Sequence, residues 1–501
     1  MTTPARNALV RVSPKRPGRN SAASAQAPPR EDPLLTFKVL AFLAAHIPLA
    51  VAIRASSLIS TGHALATFGL GLFFAMKDRN PNRVIPVMGY IVGAEILWRG
   101  TGAKILWESG KYSICLMAMI LIFRFSLHKR IPRTPVIYFA LLLPSIAVMP
   151  GIDRQLIAKN LSGPFALAVC VALFSCLRLS QSVFRNLCFA LVAPILGLAA
   201  ISTFSTFSAA DLHFTGSTKI TSAGIGPNQV SAALGLGAVF ALFYAFIERQ
   251  RKLLYWSLLI VALWLLGQSV LTFSRGGLAN CLGALAVGGF FLLGDRRSRG
   301  GAVIRGALAG AVGLYLLFPA LDAMTGGNLG KRFSDPSLTG RDRIIQGDLL
   351  AFRENPILGV GPGYAAEYHE IFFRLSSAHT EYTRMLAEHG SLGLLSLLLL
   401  LGMSVKFLAK KAPPLTRAFR ATMIAWALLY LFHSATRLAA PSFTFGLATA
   451  LMLAEVSPIR RPSTRPSPPR ALGKHPSPSG GAPPPQWPAA VPSPLREARR
   501  L

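Results

Sequence analysis

The stretch Ser377–Gly393, SAHTEYTRMLAEHGSLG, carries two histidines and runs straight into the apolar LLSLLLLLG. Such an abutment is either a surface loop meeting a membrane helix or a reaction site at the boundary. The spacing of Tyr382, Met385, Leu386 and His389 predicts a helix starting near Ser377. His379 then falls in its first turn, where the positive end of the helix dipole disfavours imidazolium. A neutral imidazole is what a general base requires; the plain alternative is a satisfied interfacial histidine. His389 falls in the last turn, where a cation is favoured, so helix capping is its expected task. Gly390 suits the position just past the helix.

Arginines supply a second kind of chemistry. TFSRGGLAN puts Arg275 at a helix junction beside Gly276 and Gly277. A half-buried arginine at a membrane edge is costly, and its planar fork fits phosphate oxygens. The paired glycines are expected to let a bulky group approach the guanidinium. Snorkelling to the interface is the alternative. Arg437 in FHSATRLAAPS, Lys219 in STKITSAGIGPNQ, and Arg341 and Arg343 in TGRDRIIQGDLLAFREN add cations. Several cations at membrane level, beside a neutral histidine, suit a membrane-embedded anion such as a lipid pyrophosphate. No metal and no cofactor is expected. The five cysteines, Cys115, Cys170, Cys176, Cys188 and Cys281, lie in apolar segments without ligand spacing and read as small buried hydrophobes.

The elements that must position these residues are membrane helices. The 501 residues are 52% hydrophobic and 14% charged, where about 25% charged is usual for a soluble domain. The chain reads as an all-α polytopic membrane protein of about 12–14 transmembrane helices, with one large extracytoplasmic loop. The candidates are 34–53, 57–76, 84–98, 113–125, 135–149, 162–177, 187–206, 228–247, 253–271, 278–294, 302–321, 392–409, 418–434 and 440–456. Residues 1–33 and 457–501 read as disordered basic tails, the first without a cleavable signal pattern, so that the run from Leu34 acts as a signal-anchor. The net charge of +32 falls in the tails and in short loops, which the membrane explains before nucleic acid does. Lys/Arg recur in every second loop: Lys77–Arg83, Lys129–Arg133, Arg249–Lys252, Arg296–Arg299 and Lys410–Arg417. That alternation predicts both termini in the cytoplasm and the 322–391 loop outside it. Within this loop, 339–355 reads as an amphipathic helix with Ile345, Leu349 and Phe352 on its apolar face, stopped by Pro356. The glycines Gly359, Gly361 and Gly363 that follow read as a tight turn rather than a nucleotide loop.

Four stretches together resemble the O-antigen ligase and polymerase family. HTEYTRMLAEHGSLG is similar to its pattern of a histidine, a small polar residue, nine residues and Gly-x-x-Gly, here His379, Thr380, Gly390 and Gly393. GIGPNQVSAAL with Asn228, TFSRGGLA, and TGRDRIIQGDLLAFRENPILGVGPG are similar too, in the family's order, over about 220–435. The resemblance implies a bacterial inner-membrane glycosyltransferase. Such an enzyme moves glycan from an undecaprenyl-pyrophosphate carrier to a glycan or lipid A–core acceptor, without nucleotide sugars. It implies His379 as base and Arg275 as pyrophosphate ligand. Lys219 stands where the family has a second arginine, and Arg437 and Arg341 are further substrate cations. The other partners implied are membrane lipid, a chain-length regulator and a flippase. No feature marks a lipid A–core site, which tilts the reading to polymerase over ligase. The rival class is a transporter or lipid-glycan flippase; the polar residues here gather in loops rather than at mid-membrane in repeated halves.

Overall fold

The structure is a computed structural model that describes residues 34–208, 219–293, 313–335, 340–372 and 380–452. Both expected tails, most of the candidate helix 302–321, and His379 lie outside these residues.

The described chain is helical almost throughout. Its helices are α1 (Leu35–Ala55), α2 (Ser57–Lys77), α3 (Val84–Gly100), α4 (Ser109–Arg124), α5 (Arg133–Ala140), α6 (Arg154–Phe174), α7 (Gln181–Phe207), α8 (Pro227–Ile247), α9 (Lys252–Leu271) and α10 (Arg275–Leu293). They continue with α11 (Phe318–Met324), α12 (Asn328–Ser334), α13 (Arg341–Glu354), α14 (Ala365–Phe372), α15 (Glu381–Ala409), α16 (Pro414–Ser434) and α17 (Ala439–Leu447). Among the described residues nine are long and apolar enough to cross a bilayer: α1, α2, α6 to α10, α15 and α16. Their outward faces carry Leu65, Phe73, Ile260, Phe290 and Leu398, an apolar surface that suits lipid rather than water. The starts are capped by local chemistry: Ser56, Asp153, Ser180 and Thr380 accept backbone N–H groups, and Pro227 opens α8.

Hydrogen bonds between distant loops define two faces. On one, Lys104 N–H donates to Thr61, Arg99 to the Arg437 carbonyl, Thr436 to Glu381, and Arg275 to the Asp335 carbonyl. On the other, Asn82 donates to the Arg178 carbonyl, Arg124 to that of Ala75, and Arg420 to those of Phe407 and Ala448. The first is called the site face, the second the basic face. Small residues let the helices between them close up. A Cβ on Gly276 would stand 3.1 Å from the His433 ring, one on Gly283 2.8 Å from Leu429, and one on Gly288 1.9 Å from Thr422, so α10 lies tightly along α16.

Two expectations change. The last candidate, 440–456, is a nine-residue helix, α17, followed by a two-residue parallel bridge of Leu451–Met452 with Arg178–Leu179. It is short because the turn before it is recessed. Thr436 sits against Gly163, nine residues into α6, about 13 Å below that helix's start. The amphipathic helix is present as α13, but its buried side is Ile344, Gly347, Asp348 and Ala351, and Leu349 is exposed. A buried hydrogen-bonded carboxylate, Asp348, sets that face in place of apolar spacing.

Candidate functional site

Arg275 opens α10, and the turn before it is built to hold it. Ser274 Oγ donates to Asn228 Oδ1 at 2.7 Å and accepts the Gly277 N–H, tying the start of α8 to the start of α10. Ser231 and Ser269 hydroxyls, 2.8 Å apart, brace the same junction. Phe273 has φ +57 and is fully buried against Leu329 and Phe333, so the backbone beside Arg275 adopts a costly conformation that its surroundings enforce. Gly276 and Gly277 do not open room around the guanidinium. A Cβ on Gly277 would stand 2.3 Å from Ser231 Oγ, so the pair serves helix packing instead.

Four guanidinium groups converge here. Arg275 Nη1 donates to the Asp335 carbonyl, and Arg332 Nη1 lies 3.4 Å from the Asp335 carboxylate. Burial pulls Arg341 below its usual value, and Arg275, Arg332 and Arg437 pull it further. Burial and then Arg275 act likewise on Arg332, against Asp335. Burial lowers Arg437, which faces Tyr430, Arg384 and Glu381 as well. The sequence reading missed Arg332, because α11 and α12 bring it in by packing on Phe273 and no local spacing marks it. Lys219 is not among the groups acting on Arg341. It stands exposed at the start of the 220–222 turn, its carbonyl accepting the Gly224 N–H at 2.7 Å.

His379 lies outside the described residues. The helix that follows begins at Glu381, four residues later than the spacing predicts, with Thr380 Oγ1 accepting the Tyr382 N–H at 3.3 Å. His389 does not cap. Its ring is fully buried, with Nδ1 2.6 Å from the Ser145 hydroxyl. The helix breaks one residue later at Gly390, φ 60 and ψ −140. There the 356–361 segment lies alongside: Val360 N–H donates to the Ala387 carbonyl, Gly361 N–H to that of Glu388, and Ser391 N–H to that of Pro356. Gly359, Gly361 and Gly363 all have positive φ, as a tight turn needs. Gly393 faces the Met385 carbonyl, where a Cβ would stand at 2.0 Å.

A second feature escaped the sequence reading. His369 Nε2 and Asp348 Oδ1 are 2.8 Å apart, both side chains fully buried, and Thr383 Oγ1 donates to Asp348 Oδ2 at 2.5 Å. This clamp joins α13, α14 and α15 within a turn of the chain that follows His379. Its three residues are spread over 348–383, so no motif announces it. Among the described residues no group of three or more His, Cys, Asp and Glu stands together as a metal site would.

No curated protein matches the chain. A family model described as O-antigen ligase matches residues 260–398, a span that holds Arg275, Arg332, Arg341, the Asp348–His369 clamp, His379 and Gly390, and leaves Asn228, Lys219 and Arg437 outside it. That match agrees with the resemblance of the sequence motifs to the O-antigen ligase and polymerase family and supports a membrane glycan-assembly enzyme.

Proposed function

We propose that the protein transfers glycan from an undecaprenyl-pyrophosphate carrier to a polysaccharide or lipid A–core acceptor on the outer side of the bacterial inner membrane. The observation that carries this reading is the convergence of Arg275, Arg332, Arg341 and Arg437 at one membrane edge, beside the helix that follows His379. Like charges crowd there at a cost that a bound polyanion would relieve. The donor is half lipid: its tail needs the bilayer, its pyrophosphate needs cations at the interface, and its sugar needs a base just beyond.

In the reaction, the acceptor hydroxyl attacks the anomeric carbon as the bond from that carbon to the pyrophosphate oxygen breaks, inverting the configuration. His379 takes the hydroxyl proton, a contribution of about 10²–10⁴-fold. The arginines stabilise charge developing on the departing pyrophosphate, so the transfer requires no divalent metal. Asn228 acts by positioning Ser274 and thereby Arg275, and Lys219 meets the donor at the rim. A growing lipid-linked glycan as acceptor makes the enzyme a polymerase; lipid A–core as acceptor makes it a ligase, and the two are told apart by which acceptor a purified preparation extends.

The test is complementation of a deletion strain at matched membrane-protein level, scored by polysaccharide chain length. His379→Ala is expected to lose transfer by about 10²-fold or more. Arg275→Lys keeps the charge without the bidentate fork and stays impaired, with Arg275→Ala worse. Wild-type chains from His379→Ala would remove it as the base.

A further inference from the structure

The turn that presents Arg437 is held from several sides by charged groups that have almost no access to solvent. Lys111 Nζ donates to the Thr436 carbonyl at 3.0 Å. Glu381 accepts both the Thr436 N–H and its hydroxyl, each at 3.2 Å. Arg99 Nη1 donates to the Arg437 carbonyl at 3.1 Å, and Glu95 accepts the Ala439 N–H at 2.8 Å. Each group is also paired: Arg99 with Glu95, Lys111 with Glu108, and Arg384 with both Glu381 and Glu388. Glu95, Lys111, Glu381, Arg384 and Glu388 are all less than 5% exposed. Ala435, next in the turn, has φ 50, a region that favours glycine.

This arrangement is costly. Buried ion pairs gain little or nothing over apolar packing of the same volume, and Ala435 holds a strained backbone conformation that its surroundings must enforce. What the groups share is a geometric outcome: four side chains from α3, α4 and α15 fix successive backbone atoms of 436–439. We propose that Glu381, Lys111, Arg99 and Glu95 are positioning residues that lock this turn so that the Arg437 guanidinium stays in the anion site. Glu381 also sits two residues after His379, so one side chain ties the segment that follows the base to the turn that carries the anion ligand. The inference rests on the reading of the arginine cluster as a pyrophosphate site.

The test is a double-mutant cycle read by binding of inorganic pyrophosphate to the purified protein in lipid nanodiscs, followed by calorimetry. Thr436→Val keeps the side-chain shape and removes the hydroxyl that Glu381 accepts; Glu381→Gln removes the charge and one acceptor. Thr436→Ser is the conservative control. Hydrogen bonds to charged groups are among the stronger ones, so Thr436→Val and Glu381→Gln are each expected to weaken pyrophosphate about tenfold or more, with Thr436→Ser near wild type. In an Arg437→Ala background the same two changes are expected to add less than about twofold, because neighbours acting through one group are non-additive. A full tenfold loss in that background, or Thr436→Val binding like Thr436→Ser, overturns the positioning role. Should Glu381→Gln not fold, Thr436→Val carries the test alone. If pyrophosphate binding is lost in Arg275→Ala yet indifferent to Thr436 and Glu381, only the positioning inference falls. A wild-type protein that ignores pyrophosphate overturns both.

Discussion

Gly390 shows how closely the residues of this site are specified. Its φ of 60 and ψ of −140 belong to glycine, and a Cβ there would stand 2.5 Å from the Ile357 carbonyl oxygen. Gly390→Ala therefore carries backbone strain of about 1–3 kcal/mol, and overpacking of similar size adds to it. Gly402, in the same helix, has nothing within 4 Å of where its Cβ would be. Gly402→Ala is expected to be neutral or to stabilise by up to about 1 kcal/mol. Thermal unfolding of the two variants in detergent checks the contrast, and equal midpoints would refute it. His389 belongs to the same scale. Buried against Ser145, it is a packing residue. His389→Ala is expected to lower the thermal midpoint and the yield, by about 2–5 kcal/mol as buried truncations do. The turnover per folded molecule should stay near wild type; a folded, inactive His389→Ala would contradict this. Arg275 and Arg437 stood out in the sequence because each stands beside a helix boundary where an arginine is conspicuous, and Arg341 stood out as one more cation of the long loop. Arg332 did not, since its place depends on Phe273 and Leu329 meeting across more than 50 residues of chain. The roles of Gly276, Gly277 and His389 were misjudged for a similar reason: each is decided by a neighbour from another helix, His433, Ser231 and Ser145 in turn.

At the scale of elements, hydropathy found the helices, and what it left out was how deep they run and which side they turn inward. α13 illustrates the second point. Its apolar spacing pointed to Ile345, Leu349 and Phe352, whereas Asp348 turns inward to meet His369 and Thr383. A buried carboxylate with two partners outweighs the burial of Leu349, which is left exposed. Asp348→Asn keeps the shape and removes the charge, leaving one partner without its acceptor, a loss of about 1–3 kcal/mol. Hydrogen exchange is expected to quicken in 341–354 and 365–372 and to stay unchanged in α7 and α8, which are packed elsewhere. Exchange that rises evenly across the protein would show that the pair supports the whole fold rather than a local clamp. α17 illustrates the first point: its length follows from the recessed turn at Thr436, which rests on a contact with Gly163 far away in sequence.

For the whole molecule, the decisive question is which side of the membrane the arginine cluster faces. The basic face carries Arg83, Arg124, Arg178, Arg185, Arg251 and Lys410, each at or near a helix end, with local pairs such as those of Arg185 and Arg251 with Glu248. Basic residues in short loops mark the cytoplasmic side. The site face carries cations as well, Arg99, Lys104 and Lys111 among them, but many of its arginines lie in the long 322–391 segment, and long loops cross a membrane largely regardless of charge. The basic face is therefore expected in the cytoplasm and the arginine cluster outside, where a lipid-linked glycan that has already crossed the membrane is available. Alkaline phosphatase fused at Gly330, next to Arg332, should be active, because it folds only after export. The same enzyme fused at Lys411, between α15 and α16, should be inactive, and a fluorescent protein that folds only in the cytoplasm should show the reverse. Active phosphatase at Lys411 with none at Gly330 would turn the arginines toward the cytoplasm. The donor glycan would then have to be used before export, and the proposed transfer outside the membrane would have no site.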